Sequence, residues 1–369
     1  MLKIQEFIHE HENWQELLSN APYNLKITED ECYVLFKYNQ ISSDFHEEIC
    51  REARGLILEK GTWRVVRMAF EKFFNIDEPF ANKIDWSSAV ATEKIDGSIM
   101  SLWFNDGKWH LSTNGSIDAY KAQLANDIKY KTFGELFDAA AQLCGLDYSL
   151  LNPAYCYTFE LVSPYNKVVI AYPDPAIYLL SVRDMDTLEE KIGHFDIGKG
   201  VLYPKEYNLN SEEEFRQIVE DMPEGHEGIV VRDEFGSRVK IKTLLYFELH
   251  RKANNGVLNT ERVVDLIRAN DYEEFLSYFP EYREYFESVK KVLDDIPATL
   301  WEIQLKVDGW KSRNQMDSET TRRRWFSQEF GVYQLKTLYF MAYDGRLQKF
   351  VDNMTTKQLI RMFGLEDKR

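Results

Sequence analysis

Lys94-Ile95-Asp96-Gly97-Ser98 joins a lysine to a turn that can present it. Four further polar pieces follow in one order: Asn114-Gly115-Ser116, Glu160, Glu227-Gly228 and Lys240-Ile241-Lys242. A lysine is a nucleophile only as the neutral amine. Its free pKa of about 10.4 leaves about 0.1% neutral near physiological pH, a deficit of roughly 4 kcal/mol. Nearby positive charge and partial burial both reduce that deficit. Lys240 and Lys242 stand two residues apart in a run that reads as a strand, so their side chains share a face. Such a pair can hold a phosphate and favour the neutral amine of Lys94, and a divalent metal on that phosphate acts in the same direction. Asp96-Gly97 reads as a tight turn, and Gly97 lets backbone approach a ligand closely. Glu160 ends a strand-like run over 155–160 and is placed to accept hydrogen bonds from ribose hydroxyls. Glu227 is placed to orient metal-bound water, the usual task of an acid beside phosphates. Arg54, followed by Gly55 and a strand, offers a planar fork to a phosphate.

Positioning these groups needs a mixed framework. Residues 4–18 read as an amphipathic helix. Short alternating runs cover 31–38, 54–59 and 62–68, with a hairpin at Lys60-Gly61. Runs at 99–105 and 108–113 flank Asp106-Gly107, a strong hairpin-turn signal. The pattern predicts a helix over 117–144, then strands at 156–162, 168–172 and 177–183. Ser211 opens a helix, and 228–232 with 237–242 read as the last strand pair. After Leu244 the apolar residues fall at three- and four-residue spacings, predicting helices over 263–276, 282–293, 299–307, 320–341 and 356–363. The expected fold class is α+β: an antiparallel-rich domain over 1–250, then an all-helical C-terminal domain over 251–369.

At 369 residues the chain can hold two domains, and 44% hydrophobic with 29% charged content fits a globular protein. A formal charge of −16 argues against broad electrostatic binding of nucleic acid and confines such contact to a local basic cleft. Cys32, Cys50, Cys144 and Cys156 are far apart, poor spacing for zinc or a disulfide framework, so they read as reduced thiols of a cytoplasmic protein. The N-terminal residues are too polar for a signal peptide, and no apolar run is long enough for a membrane span.

The ordered pieces look like a covalent nucleotidyltransferase, and several blocks narrow the likeness. Arg54-Gly55-Leu-Ile-Leu-Glu, Glu71-Lys72-Phe73-Phe74-Asn75 and Glu93-Lys94-Ile-Asp96-Gly97-Ser98 resemble the N-terminal half of the phage-type RNA ligase 1 family. Phe159-Glu160-Leu-Val-Ser-Pro164-Tyr-Asn166-Lys167-Val-Val-Ile-Ala-Tyr172 resembles its middle block. Glu227-Gly228, Val239-Lys240-Ile241-Lys242 and the Tyr246 beyond look like its closing motifs. The resemblance covers residues 30–250. It implies an adenylation domain for residues 1–250, RNA-substrate specificity for the helical domain, and an ATP-dependent RNA ligase working in three steps. Lys94 would take AMP from ATP, AMP would pass to an RNA 5′-phosphate, and a 3′-hydroxyl would then seal the strand. The implied cofactors are ATP as substrate and Mg²⁺ or Mn²⁺, with Glu227 reaching a metal through water and Asp96 as a further metal candidate. Lys94, Lys240, Lys242 and Glu227 would be catalytic. Arg54, Lys72, Phe74, Asp96, Gly97, Asn114, Glu160 and Tyr246 would bind the nucleotide. Implied partners are RNA, as broken tRNA or single-stranded ends, and a separate end-healing kinase or phosphatase. The third motif departs from the family at Asn114, where the family often has a lysine, which leaves hydrogen bonding to ribose or phosphate there.

Competing readings stay open at this level. A DNA ligase or capping guanylyltransferase would continue into an OB-fold barrel. A catalytically silent RNA-binding module on the same fold would label with no nucleotide. Lys306-Val307-Asp308-Gly309 repeats the short motif in a helical region without its companions and reads as a helix-ending turn. Arg322-Arg323-Arg324-Trp325, with Lys311 and Arg313, is either the solvated start of a helix or an RNA contact. Asp271 reads as a helix cap, with metal binding as its alternative, and His226 as a neighbour of Glu227.

Overall fold

Apolar side chains at every second position make strands that bury one or both faces, and three sheets form this way. They are seen in a computed structural model that describes all residues except 41, 125–128, 167, 247–257, 270–271, 316–317, 333–334, 353 and 366–369. The described residues divide into two compact units, 1–39 with 43–256, and 40–42 with 257–369.

In the first unit, β1 (Lys26–Glu29), β2 (Tyr33–Lys37), β3 (Arg54–Glu59) and β4 (Val65–Arg67) form an antiparallel sheet in that order. Val34, Phe36, Leu56 and Leu58 pack one face against helices α1 (Lys3–Glu10), α2 (Trp14–Ser19) and α3 (Glu48–Glu52). Leu35, Ile57 and Val66 on the other face meet Trp103 and Cys156 of the second sheet and Ile117 from the loop after β8. That sheet runs β11-β10-β9-β7-β8, where β7 is Ser98–Asn105, β8 Lys108–Thr113, β9 Tyr155–Val162, β10 Ala176–Asp184 and β11 Glu190–Lys191. Helix α4 (Phe133–Leu143) covers it through Leu136, Phe137 and Ala140.

The third sheet runs β12-β6-β13-β14-β5: β5 is Phe74–Asn75, β6 Val90–Glu93, β12 Glu206–Tyr207, β13 Gly228–Arg232 and β14 Arg238–Lys242. Only the β14–β5 pair is parallel. Helix α5 (Glu212–Glu220), capped by the Ser211 side chain on the Glu214 N–H, buries Phe215 and Val219 against it. Arg238 of β14 and Arg183 of β10 both pair with Glu190 of β11, tying the third sheet to the second. Burial works to raise that carboxyl, but Arg238, Arg232 and Arg183 hold it below its ordinary value.

Every element of the second unit's described residues is a helix, the α-helices being Thr260–Ala269, Tyr272–Tyr278, Arg283–Asp294, Ile296–Arg313, Glu319–Phe330, Lys336–Tyr343, Leu347–Asp352 and Thr356–Phe363. No strand follows β14 among the described residues, which sets aside the OB-fold continuation. Trp310, Phe326, Phe330, Tyr339 and Tyr343 make its aromatic core. An antiparallel-rich α+β unit followed by a helical one is the expected fold class.

Several expected elements come out differently. The helix over 4–18 is two, α1 and α2. Among the described residues of 117–144 only Phe133–Leu143 is helical. Ser116 Oγ bonds the Asp118 carbonyl and Asp118 Oδ1 takes the Tyr120 N–H, local bonds that compete with a helix. Residues 168–172 form no strand, because the Val169 and Ile170 N–H groups donate to Asp96 rather than to a neighbouring strand. The helix over 320–341 breaks at Gly331. Residues 306–309 end no helix, since Ile296–Arg313 runs through them with Val307 and Trp310 buried.

Candidate functional site

Sheet register brings three distant pieces of sequence side by side. Glu93 at the end of β6 pairs with Ile229, and Gly228 pairs with Lys242. Lys94, the next residue, donates its N–H to the Gly228 carbonyl at 2.8 Å. Lys94 therefore lies beside Glu227-Gly228 and, one strand further, Lys242. Gly228 has φ +152°, and a Cβ there would lie 2.7 Å from Lys242 Cα and overlap the Ile241 carbonyl, so glycine lets β13 close onto β14 here. Residues 94–98 then cross to the second sheet, where Ile99 pairs with Glu160 on β9.

The side chains complete the contact. Lys94 Nζ lies 2.6 Å from Glu227 Oε2, and Lys242 Nζ lies 3.0 Å from Glu227 Oε1. Glu227 is 3% exposed and Lys94 22%, so the nucleophile candidate keeps access to solvent while its partner does not. Burial works to raise the Glu227 carboxyl, but Lys94 and then Lys242 hold it below its ordinary value. Lys242 Nζ also sits 4.9 Å over the Tyr246 ring. Tyr246 is buried, and its hydroxyl donates to Asp96 Oδ1 at 3.2 Å. Asp96 Oδ2 accepts the Val169 and Ile170 N–H groups at 2.8 and 2.7 Å. Both Asp96 oxygens thus serve protein donors, which fixes the loop over 169–170 and Tyr246 around this carboxylate. Gly97 is crowded by Val162 Cγ1 at 2.9 Å and by the Leu161 carbonyl, so its missing side chain lets β9 approach closely.

A second group of cations extends along β14. Lys240 and Arg238 continue the row begun by Lys242, all three buried. Lys72 is buried with its Nζ 5.3 Å over the Phe74 ring and 5.5 Å over Tyr38. Burial lowers the Lys72 amine, and Lys240 and Arg54 push the same way against Tyr38. Burial would raise the Tyr38 phenol, yet Lys72, Arg54 and Lys240 bring it below its ordinary value. Arg54, first residue of β3, stacks over Phe70 at 4.7 Å and Phe73 at 5.0 Å. Its Nη1 is buried without a hydrogen-bond partner, an open donor in a positive surrounding. Phe74, expected beside the nucleotide, is 1% exposed and packs on Phe45 and Phe80, supporting Lys72 from below. Asn114 Oδ1 accepts from Arg67 Nη2 at 2.8 Å.

Glu160 is the counterweight. Burial, with Glu227 and Asp96 adding to it and Lys94 and Arg54 opposing, pushes its carboxyl up to about 8. It is therefore mostly neutral at pH 7, leaving the surrounding cations in excess. A carboxyl raised above its unfolded value binds its proton more tightly in the folded state. Stability is then highest below about pH 4.5 and falls as pH rises through the window to about pH 8. The nucleotide-free protein is expected to lose on the order of 4 kcal/mol across that window through this group. Glu160→Gln should flatten the slope in denaturant unfolding run at stepped pH. A smaller slope of the same sign would remain from Glu52, raised by burial to about 7.

The sequence profile of a family described as RNA ligase matches residues 52–250, more than half of the chain and the whole of this site. The chain belongs to the RNA ligase family. Its place is among the phage-type ATP-dependent ligases of the covalent nucleotidyltransferase superfamily, and membership gives the enzyme class and, coarsely, the substrate, RNA. An RNA ligase of Rhodothermus phage RM378 is 26% identical over 88% of this chain and 89% of its own length. A putative bifunctional polynucleotide kinase/RNA ligase of Autographa californica nuclear polyhedrosis virus is 29% identical over 69% of this chain, which spans 38% of that protein. An archaeal ATP-dependent RNA ligase structure aligns over 96% of this chain and 99% of its own at 12% identity, with a TM-score of 0.47.

In this ligase Arg322 pairs with Glu319, while Arg323 and Arg346 share Asp344. Lys311 donates to the Tyr343 carbonyl. Much of that basic cluster is thus spent within its own unit, with Trp325 54% exposed beside it. His226 pairs with Glu93 at 2.6 Å, a contact between the immediate neighbours of Glu227 and Lys94. Asp271 and Lys167 lie outside the described residues. Sequence reading passed over Arg67 and Arg238. The signal for both was a charge at an apolar-alternating position, in Val65-Val66-Arg67-Met68 and in Arg238-Val-Lys240-Ile-Lys242.

Proposed function

We propose that this RNA ligase joins RNA 5′-phosphate and 3′-hydroxyl ends through a lysyl-AMP on Lys94 and then an adenylylated RNA 5′ end. The observation that supports it is the Lys94–Glu227–Lys242 contact beside a buried excess of cations. ATP is the substrate that fits, because the open Nη1 donor of Arg54 and the buried Lys72, Lys240 and Lys242 suit a polyphosphate. Lys94 Nζ attacks the α-phosphorus, the N–P bond forms and pyrophosphate leaves. Glu227 is positioned to receive the proton that Nζ gives up. Lys242 and Lys240 take the charge that gathers on the α-phosphate oxygens. Neutral Glu160 can both donate to and accept from the ribose hydroxyls.

Among the described residues no three His, Cys, Asp or Glu side chains gather as a metal site. The donor set therefore fits a Mg²⁺ or Mn²⁺ ion carried on substrate phosphates, with Glu227 reaching it through water. Such an ion would neutralise phosphate charge.

The same reading assigns RNA-substrate specificity to the helical unit and RNA repair, including broken tRNA, to the activity. A separate kinase or phosphatase would prepare the ends. The Autographa californica nuclear polyhedrosis virus relative supports end-healing as the companion activity, since its name joins a polynucleotide kinase and an RNA ligase in one chain. Four free thiols, three of them buried, and no helix among the described residues long and apolar enough to cross a membrane accord with a cytoplasmic setting. The test is joining of a single-stranded RNA with ATP and Mg²⁺. RNA with a 5′-phosphate should circularise or dimerise, and the same RNA with a 5′-hydroxyl should not. Equal failure of both substrates would overturn the reading.

A further inference from the structure

Arg67 closes β4 with no exposed surface. No carboxylate pairs with it among the described residues. Burial pushes its guanidinium down to about 10, with Cys156 opposing and Arg54 adding to the fall. A buried cation of this kind is costly unless its donors are met. Its Nη1 and Nη2 donors converge on one corner, while Nε is buried without a hydrogen-bond partner. Nη1 donates to the carbonyls of Gly55 and, at 3.2 Å, Arg54. Nη2 donates to Ser101 Oγ and to Asn114 Oδ1, both at 2.8 Å. Gly55 has φ +75°, and a Cβ there would overlap Arg67 Nη1 and lie 2.8 Å from Asn114 Cα. Residues 54–55, 67 and 114 are therefore one locked unit.

The lock fixes polarity. An amide whose oxygen is held by Arg67 keeps its nitrogen, a donor, for other partners. Arg67 also holds the backbone of Arg54, whose Nη1 is the buried donor without a partner. Arg54 precedes Gly55 and Asn114 packs against it, and both donors suit the oxygens of an anionic ligand. We propose that Arg67 is a positioning residue for the nucleotide, setting the Asn114 amide nitrogen and the Arg54 guanidinium as donors to ribose or phosphate oxygens. The proposal rests on the ATP reading above. Arg67 touches no substrate itself.

The test measures self-adenylylation against ATP concentration, with thermal unfolding of each variant. Asn114→Asp separates packing from positioning, because it moves the two readouts in opposite directions. Its carboxylate gives Arg67 a counter-ion, so the melting temperature should hold or rise. It also puts an acceptor where the amide donor was, so the KM for ATP should rise about tenfold or more, with a smaller change at saturating ATP, the effect of losing a charge-assisted hydrogen bond. Arg67→Met should raise the KM by a similar factor while lowering the melting temperature. Adding Asn114→Leu to Arg67→Met should raise KM little further, because both act through one contact. Should Arg67→Met fail to fold, Asn114→Asp decides alone. An unchanged KM in Asn114→Asp, with the wild type labelling normally, would overturn the positioning role and leave Arg67 as packing. A wild type that takes no label from ATP would remove the reading beneath it, an outcome visible in the control.

Discussion

Lys94→Ala and Lys94→Arg should each lower ATP-driven RNA joining by at least about 10⁴-fold. Alanine removes the nucleophile. Arginine keeps the charge beside Glu227 but offers a guanidinium that does not deprotonate in proteins. The fold should tolerate both, since the Lys94 side chain is partly exposed and its backbone N–H, bonded to Gly228, is unchanged. A sharper consequence lies in the third step. Sealing an RNA supplied already adenylylated at its 5′ end needs no lysine nucleophile. Both variants should therefore seal that RNA within about tenfold of the wild-type rate, because the barrier removed by Lys94 belongs to the first step alone. Gel analysis of end-labelled RNA, with and without the pre-formed adenylate, reads both outcomes. Equal loss on the two substrates would mean that Lys94 supports the structure rather than the first step.

Glu227→Ala should combine a large loss of stability with a large loss of rate. The carboxylate is buried between Lys94 at 2.6 Å and Lys242 at 3.0 Å, so its removal takes away the negative charge that both cations share. Breaking a buried pair from one side costs about 3–5 kcal/mol. The same change removes the group placed to accept the Nζ proton, worth about 10²–10⁴ in rate. Glu227→Gln separates the two, since the amide keeps the shape and still accepts a hydrogen bond while losing the charge. The sign of the pH effect follows from the lowered carboxyl. Its stabilisation is fully present above the unfolded carboxylate value and is lost as pH falls through the lower folded one. Wild-type stability should therefore fall on acidification through this group, and the Gln variant should lack that component. Denaturant unfolding at stepped pH gives the stability, and label transfer from ATP gives the rate. A Gln variant with wild-type rate would exclude Glu227 as proton acceptor.

What the sequence discloses depends on how locally each feature is encoded. The strands 54–59, 108–113 and 228–232 were legible to the residue, because alternation and turn residues set them within a few positions. The spacing of Lys240 and Lys242 showed a shared face. It could not show that Glu227 would bridge Lys242 to Lys94, since that contact depends on the pairing of Gly228 with Lys242 and of Ile229 with Glu93. Failures arose where a distant side chain claimed local backbone. Residues 168–172 have strand-like composition, yet Asp96, more than seventy residues earlier in the chain, takes two of their N–H groups. Gly97 was legible as a close approach, though not as one crowded by Leu161 and Val162. Phe74, expected beside the nucleotide, is buried against Phe45 and Phe80, neighbours that its short two-residue strand could not disclose. Arg67 was missed because a lone charge in an apolar strand has no partner in sequence. Its partners Gly55, Ser101 and Asn114 come from three other places in the chain.

The most direct test is incubation of the protein with Mg²⁺ and ATP labelled at the α-phosphate, beside γ-labelled ATP, α-labelled GTP and the Lys94→Ala variant. The account predicts a denaturation-resistant, acid-labile adduct from α-labelled ATP alone, carried by the wild type and absent from Lys94→Ala. Folded wild-type protein that takes no label from ATP, or a Lys94→Ala variant that labels as well as wild type, would contradict it.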